Sequence, residues 1–235
     1  MNKFYFCFLY ALSAFYSNNI FAIENVYLRG DIGFSQSNSI KNEQLFYKES
    51  GERKFNNGFA SSIGLGYKLN KYFRAELAYN RINNLKYEAK NIILIKAGNN
   101  FSSNYKQKLK LHALMVNLYY NLPLENRFIP YLGLGLGYAH INYGEASRFT
   151  KQTNFTKSYE GKNSNNLSYA LMMGSIIKIN KKFDIDIGYR FQDFGKSKGF
   201  NYMIFNNIQR SGISDSLSGY RVKVHGIMGG IRYNF

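Results

Sequence analysis

From Glu24 to the last residue, apolar positions alternate with small or charged ones at a period of two, and no other feature of this chain constrains its fold as tightly. In the stretch Val26 to Phe34, Val26, Leu28, Ile32 and Phe34 share one parity, while Tyr27, Arg29, Asp31 and Gly33 share the other. Side chains of a strand point alternately to its two faces, so one face here is apolar throughout and the other is not.

The same pattern recurs at about Gly58 to Leu69, Tyr72 to Arg81, Leu111 to Tyr120, Phe128 to His140, Leu167 to Ile179, Phe183 to Phe191 and Arg221 to Phe235, giving eight strands in all. Each is close to the roughly 9 to 11 residues that a tilted strand needs to cross a bilayer core. The connections alternate in length. Asn70-Lys71, Asn121 to Arg127 and Asn180 to Lys182 are short, whereas Ser35 to Asn57, Ile82 to Lys110, Ile141 to Asn166 and Gln192 to Tyr220 are long. Two hairpins also repeat in register, Tyr67 to Phe73 against Ile177 to Phe183.

The sequence holds no continuous run of about 18 or more apolar residues, so no ordinary transmembrane helix can be placed in it. Strands in hydrocarbon must close on themselves, because an open edge leaves backbone groups without partners. The expectation is an all-β fold: an eight-stranded antiparallel transmembrane β-barrel with short periplasmic turns, four long extracellular loops and both termini in the periplasm. The chain ends Ile231-Arg232-Tyr233-Asn234-Phe235, with Tyr233 and Phe235 as the aromatic terminal signal for barrel assembly.

Lys3, the apolar run Phe4 to Phe15, the polar Ser17, Asn18 and Asn19 and the small Ala22 read as a signal peptide over residues 1–22, leaving a barrel over 23–235. Cys7 falls inside that segment. The mature chain then carries no thiol, which removes disulfide, thiolate-metal and cysteine-nucleophile chemistry. Lys and Arg number 31 against 14 Asp and Glu, a formal charge of +17. Export argues against nucleic acid as the partner and for lipid phosphates, acidic glycans or acidic patches on other proteins.

Parity places the charged strand residues Arg29, Asp31, Lys68, Arg74, Glu76, Lys178, Asp184, Asp186, Arg190 and Arg232 inside the barrel. Gly64, Gly66, Gly133, Gly135, Gly137, Gly174, Gly188 and Gly230 share that face. An eight-stranded barrel is just wide enough for its side chains to fill, so these residues read as a paired network over the glycines rather than a conducting pore. Arg29, Arg74 and Arg190 should lie within pairing reach of Asp31, Glu76, Asp184 or Asp186. Gly133 to Gly137 is no dinucleotide loop, since it lies within a strand. His112, His140 and His225 fall on the outer parity, away from any shared cleft, so neither catalytic residues nor metal ligands nor a cofactor are expected. Outward Phe59, Tyr138, Tyr169 and Phe191 at one end, and Tyr67, Phe73, Phe128, Phe183, Tyr233 and Phe235 at the other, suit interfacial girdles.

The long connections mix charge and aromatics in a way suited to protein contact. The candidate contact residues are Phe46 and Tyr47 in the first, Lys86, Lys90, Lys96, Phe101 and Tyr105 in the second, Phe149, Lys151, Phe155, Lys157 and Tyr159 in the third, and Phe200, Tyr202, Phe205 and Arg210 in the fourth. The second also holds Lys106, Lys108 and Lys110, with Glu88 as its sole acid, and an apolar stretch Ile92 to Ile95 that could extend its flanking strands as a hairpin. Solvated loops facing lipopolysaccharide phosphate account for the same residues equally well.

The segments VYLRGDIGF, YLGLGLGY and IGYRFQDFG, together with the terminal IRYNF, resemble the small outer-membrane surface-antigen barrels of alphaproteobacteria, and the Asn-, Lys-, Ile- and Tyr-rich usage looks closest to the rickettsial "putative adhesins". The resemblance spans essentially the whole mature chain. It implies attachment to host-cell or host-serum proteins through surface loops, with outer-membrane lipid, lipopolysaccharide and the barrel assembly machinery as further partners, and it transfers no residue-level binding site. Two rival functions stand beside the adhesin: a structural or weakly conducting porin-like barrel, and an outer-membrane enzyme.

Overall fold

The computed structural model describes residues 23–37, 52–96, 99–122, 124, 127–161, 163–196, 200–205, 208–211 and 221–235. The segment read as a signal peptide, 1–22, lies outside them. After a short 3-10 turn, Ile23–Asn25, the strands are β1 (Val26–Ser37), β2 (Glu52–Phe55), β3 (Gly58–Lys68), β4 (Phe73–Lys96), β5 (Asn99–Asn121), β6 (Phe128–Thr150), β7 (Phe155–Gly161), β8 (Ser164–Lys178), β9 (Phe183–Lys196), β10 (Phe200–Phe205), β11 (Ile208–Ser211) and β12 (Arg221–Asn234).

Eight of these, β1, β3, β4, β5, β6, β8, β9 and β12, form an antiparallel ring that closes where β12 pairs with β1. Burial alternates along the belt portion of these eight strands, as the period-2 pattern requires. The outward parity exposes a belt of large apolar side chains, among them Phe34, Leu65, Leu77, Leu134, Leu136 and Leu167, the last 75% exposed. An apolar surface this continuous belongs in hydrocarbon rather than water. The belt carries the barrel's placement, and the closed ring leaves no edge within it.

The two short turns that repeat in sequence repeat in structure. The Asn70 carboxamide oxygen accepts from the backbone N–H of Tyr72 and of Phe73, both at 2.8 Å, and that of Asn180 accepts from Lys182 at 2.9 Å and Phe183 at 2.8 Å. Asn at the turn thus organises its own backbone, which is why the same residue opens both hairpins.

The opposite end differs from four plain loops. Strands β4, β5 and β6 do not stop near Arg81, Leu111 and His140 but run on for about 10 to 15 residues more, to lengths of 24, 23 and 23. β7 folds back on β6, β10 from the fourth connection adds to β7, β11 adds to β10, and β2 pairs with the far part of β4. A continuous extension sheet, β2-β4-β5-β6-β7-β10-β11, therefore stands beyond the belt. The reason is that alternation persists there. Leu85, Leu109, Leu111 and Ile141 are fully buried on the inward parity and cluster with Tyr87, Tyr143, Phe194, Val222 and Val224, while lysines occupy the outward parity and give those windows the composition of a solvated loop. Bulges between Ile82 and Leu85 and between Gln107 and Leu109 keep the faces consistent where the strands leave the barrel.

Candidate functional site

Inside the short-turn half of the barrel, Glu76 is the hub. Its carboxylate accepts from Arg29 Nη2 at 2.8 Å, from the hydroxyls of Tyr119 and Tyr27 at 3.1 and 3.0 Å, and from Asn117 Nδ2 at 3.3 Å. Arg29 also approaches Asp31 at 3.3 Å and Asp186 at 3.6 Å, and Asp186 receives Arg232 and the Tyr131 hydroxyl at 2.6 Å each. Arg74 donates to Tyr27 and Asn121, lies 3.7 Å from Glu76, and sits 3.6 Å from the Tyr119 ring centre and 4.7 Å from that of Tyr131. Three buried guanidiniums thus meet three buried carboxylates; Glu76 and Asp186 each gather several partners, whereas Asp31 is held by Arg29 alone among the described residues.

Not every lumen residue joins this cluster. Arg190 donates to Asn80 at 2.7 Å and forms no ion pair with an acid among the described residues, because it stands above the carboxylates, in the half of the lumen lined by Asn80 and Gln192. Asp184 accepts from Asn234 at 3.0 Å near the short-turn mouth. Lys68 and Lys178 end their strands at that mouth, Lys68 part-buried and Lys178 exposed. Sequence reasoning passed over Tyr119, Tyr131, Asn117 and Asn121. Their signal was the glycines: Tyr27 lies over Gly66 and Tyr119 over Gly133, its direct partner across the strands, and a methyl group at either glycine would collide with the ring.

A second polar cluster marks the root of the fourth connection. Asp193, fully buried, accepts from Arg221 Nε at 2.6 Å, from the Tyr169 hydroxyl at 2.8 Å and from the Gly195 N–H at 2.8 Å, and Gly195 itself takes a φ of 87°. That conformation favours glycine and turns the chain out of β9.

The candidate contact residues spread over the extension sheet. Lys86 and Lys90 are exposed on β4, and Lys96 ends it, paired with Asn99. Phe101 pairs with Leu94, and Tyr105 with Ala89 and Arg148. Phe149 is exposed near the end of β6, and the exposed Lys151 opens the turn to β7, its N–H bonded to Ser102. Phe155, Lys157 and Tyr159 pair with Thr150, Arg148 and Ala146. Phe200 pairs with Gly161, Tyr202 with Glu160 and Ser211, Phe205 with Ile208, and Arg210 with Met203. Phe46 and Tyr47 lie outside the described residues. The second, third and fourth connections therefore share one sheet rather than forming separate loops.

His112 and His140 are direct partners across β5 and β6 on the outer surface, bonded to Tyr79 and Asn165 respectively. At the chain end, Tyr233 packs against Phe183 and Phe235, and the Phe235 N–H reaches the Val26 carbonyl at 3.2 Å.

The family model described as the outer membrane protein beta-barrel domain matches residues 7–235. The protein named "Putative adhesin" of Rickettsia bellii (strain RML369-C) is 27% identical over 209 residues, covering 88% of this chain and 87% of its own. An uncharacterized protein of Brucella abortus (strain 2308) is 25% identical over 244 residues, covering 91% and 86%. Among solved structures, Neisserial surface protein A aligns with a TM-score of 0.53 at 16% identity, covering 89% of this chain and 97% of that one, a likeness of fold.

Proposed function

The chain belongs to the outer membrane protein beta-barrel domain family, and from that premise we propose that it is a non-enzymatic surface adhesin whose barrel anchors in the outer membrane while the extension sheet binds a host-cell or host-serum protein. In this reading residues 1–22 are the export signal, the short turns and both termini face the periplasm, and Tyr233 and Phe235 engage the assembly machinery. The observation that carries it is the extension itself: connections that only tethered strands would have no need of a continuous sheet with a buried core behind it. A pre-ordered sheet loses less conformational freedom on binding than a loop, which favours it as an adhesive element. The adhesin-named relative supports the same reading. The packed, charge-compensated lumen weighs against the porin-like rival, and the outward histidines, bonded to Tyr79 and Asn165, weigh against the enzymatic one.

The test is capture of host surface and serum proteins by the refolded barrel and by a form whose extension is shortened to the belt. Capture by the intact barrel alone is the expected result. Equal capture by both folded forms would sink the reading.

A further inference from the structure

The outer wall changes character abruptly between two rows of cross-strand partners. Tyr79, Leu114, Tyr138 and Leu167 form one row across β4, β5, β6 and β8, all exposed and all apolar or aromatic. The next outward row is Arg81, His112, His140 and Asn165. Arg81 is two residues past Tyr79, about 7 Å along the strand, which is comparable with the roughly 5 to 7 Å of interfacial layer on each side of a bilayer core.

One outward position beyond His112, Lys110 is exposed on β5, and one position farther Lys86 and Lys108 stand directly opposite each other across β4 and β5. Like charges opposed in a ladder are destabilising unless something compensates them. Glu88 pairs instead with Lys106 at 4.0 Å, one row farther out. Glu145 lies in the same shallow groove, yet neither it nor any other described carboxylate comes within ion-pair distance of Arg81, Lys86, Lys108 or Lys110. The lysines cannot turn inward either. Behind them Leu85, Leu109 and Leu111 are fully buried in the apolar cluster. Long basic side chains placed this way bend toward the interface and leave their ammonium groups at headgroup level.

We propose that the outward face of β4 and β5 next to the belt, formed by Arg81, Lys86, Lys108 and Lys110, binds the phosphates of a phosphorylated glycolipid whose acyl chains lie along Tyr79, Leu114 and Tyr138. Continuity with the belt selects a lipid over a soluble polyanion: the first cationic row adjoins the last apolar one with no intervening row, so a headgroup anchored in the bilayer lies there without further approach. The site rests on the membrane orientation proposed above, in which this end faces the outer leaflet. Labelling of a cysteine placed at Lys151 on intact cells tests that orientation by itself.

The lipid site is tested on the refolded protein by native mass-spectrometric titration with bisphosphorylated lipid A, with the same lipid stripped of its phosphates, and with a soluble heparin oligosaccharide. The bisphosphorylated lipid should bind at least about tenfold more tightly than the stripped one. Taking the contribution of a basic residue beside an anionic lipid surface, K86A/K108A/K110A should lose up to about a hundredfold of that preference. A matched variant, K71A/K181A/K182A, removes the same charge from the opposite rim and should retain it; both variants are checked for folding by heat-modified gel mobility. Equal binding of the two lipids, equal losses in the two variants, or lysine-dependent binding of heparin without lipid A would each overturn the proposal.

Discussion

Arg29 on β1 and Arg232 on β12 face each other directly across the seam that closes the barrel, and both reach the same carboxylate, Asp186 on β9, at 3.6 and 2.6 Å. Two opposed guanidiniums at the closure point are tolerable only with that acid and Glu76 in place. Asp186→Asn should therefore destabilise the barrel by about 3 to 5 kcal/mol, the usual cost of orphaning a buried charge. Adding Arg232→Met to it should restore part of the loss. Urea titration in vesicles measures both; a double variant less stable than the single one would contradict the compensated network.

The lipid-facing parity predicts an equally directional effect. Leu134 lies near the middle of the belt and is 63% exposed to it. Leu134→Arg should cost about 2 to 4 kcal/mol at that depth, seen as a lower denaturation midpoint in bilayers. An unchanged midpoint would mean that the face does not contact hydrocarbon.

Close approach of tyrosine rings to glycines gives a third expectation. Gly133→Ala puts a methyl group against the Tyr119 ring and should destabilise by about 1 to 3 kcal/mol, as overpacking does. Combining it with Tyr119→Leu should cost less than the two single changes added together. Strict additivity in the unfolding measurement would show that the ring is not what the methyl meets.

Conductance follows from the packed lumen. Arg29, Arg74, Glu76 and Arg232 are each at most 3% exposed, and the apolar cluster closes the other end. Planar-bilayer recordings of the wild type should stay at baseline. Steady open-channel steps would remove the structural reading of the network.

Attachment should depend on the hairpin formed by β4 and β5. Deleting residues 91–104 should weaken host-protein binding more than deleting 200–211, and binding should fall as salt rises, since exposed charges are screened beyond about 8 Å at physiological ionic strength. The comparison is made by surface plasmon resonance at low and high salt on refolded barrels. Undiminished binding after the first deletion would move the contact to β7, β10 and β11.

The barrel was legible because hydrocarbon is uniform. Every outward residue of the belt, from Leu28 on β1 to Ile231 on β12, answers to the same solvent, so period-2 alternation reads through all eight barrel strands there. Buried charges such as Arg74 and Asp186 were legible for the converse reason, that lipid excludes them. The tyrosines were not, because Tyr suits a girdle as well as a lumen, and nothing local tells Tyr119 from Tyr120 except parity. The stretch Ile92 to Ile95 pointed to the β4–β5 hairpin, which the structure has, but Lys86, Lys108 and Lys110 masked the buried apolar residues between them, and the addition of β7, β10 and β11 to the same sheet went unread. Asp193 lay beyond reach altogether: its burial depends on the register shift between Arg221 and Lys223 on β12 and on the turned backbone at Gly195.

The alternation that persists past the belt also governs how this surface can diversify. Inward positions such as Leu85, Leu109 and Ile141 are closed to polar replacement, whereas Lys86, Lys108, Asn142 and Glu145 face outward and can be rewritten without disturbing the sheet. Divergence in the extension should accordingly come as substitutions at every second residue. A single inserted residue would exchange the two faces of everything beyond it, unless it is absorbed in a bulge such as those at Ile82/Leu85 and Gln107/Leu109. Those bulges are the points at which this protein can change length and keep its two faces.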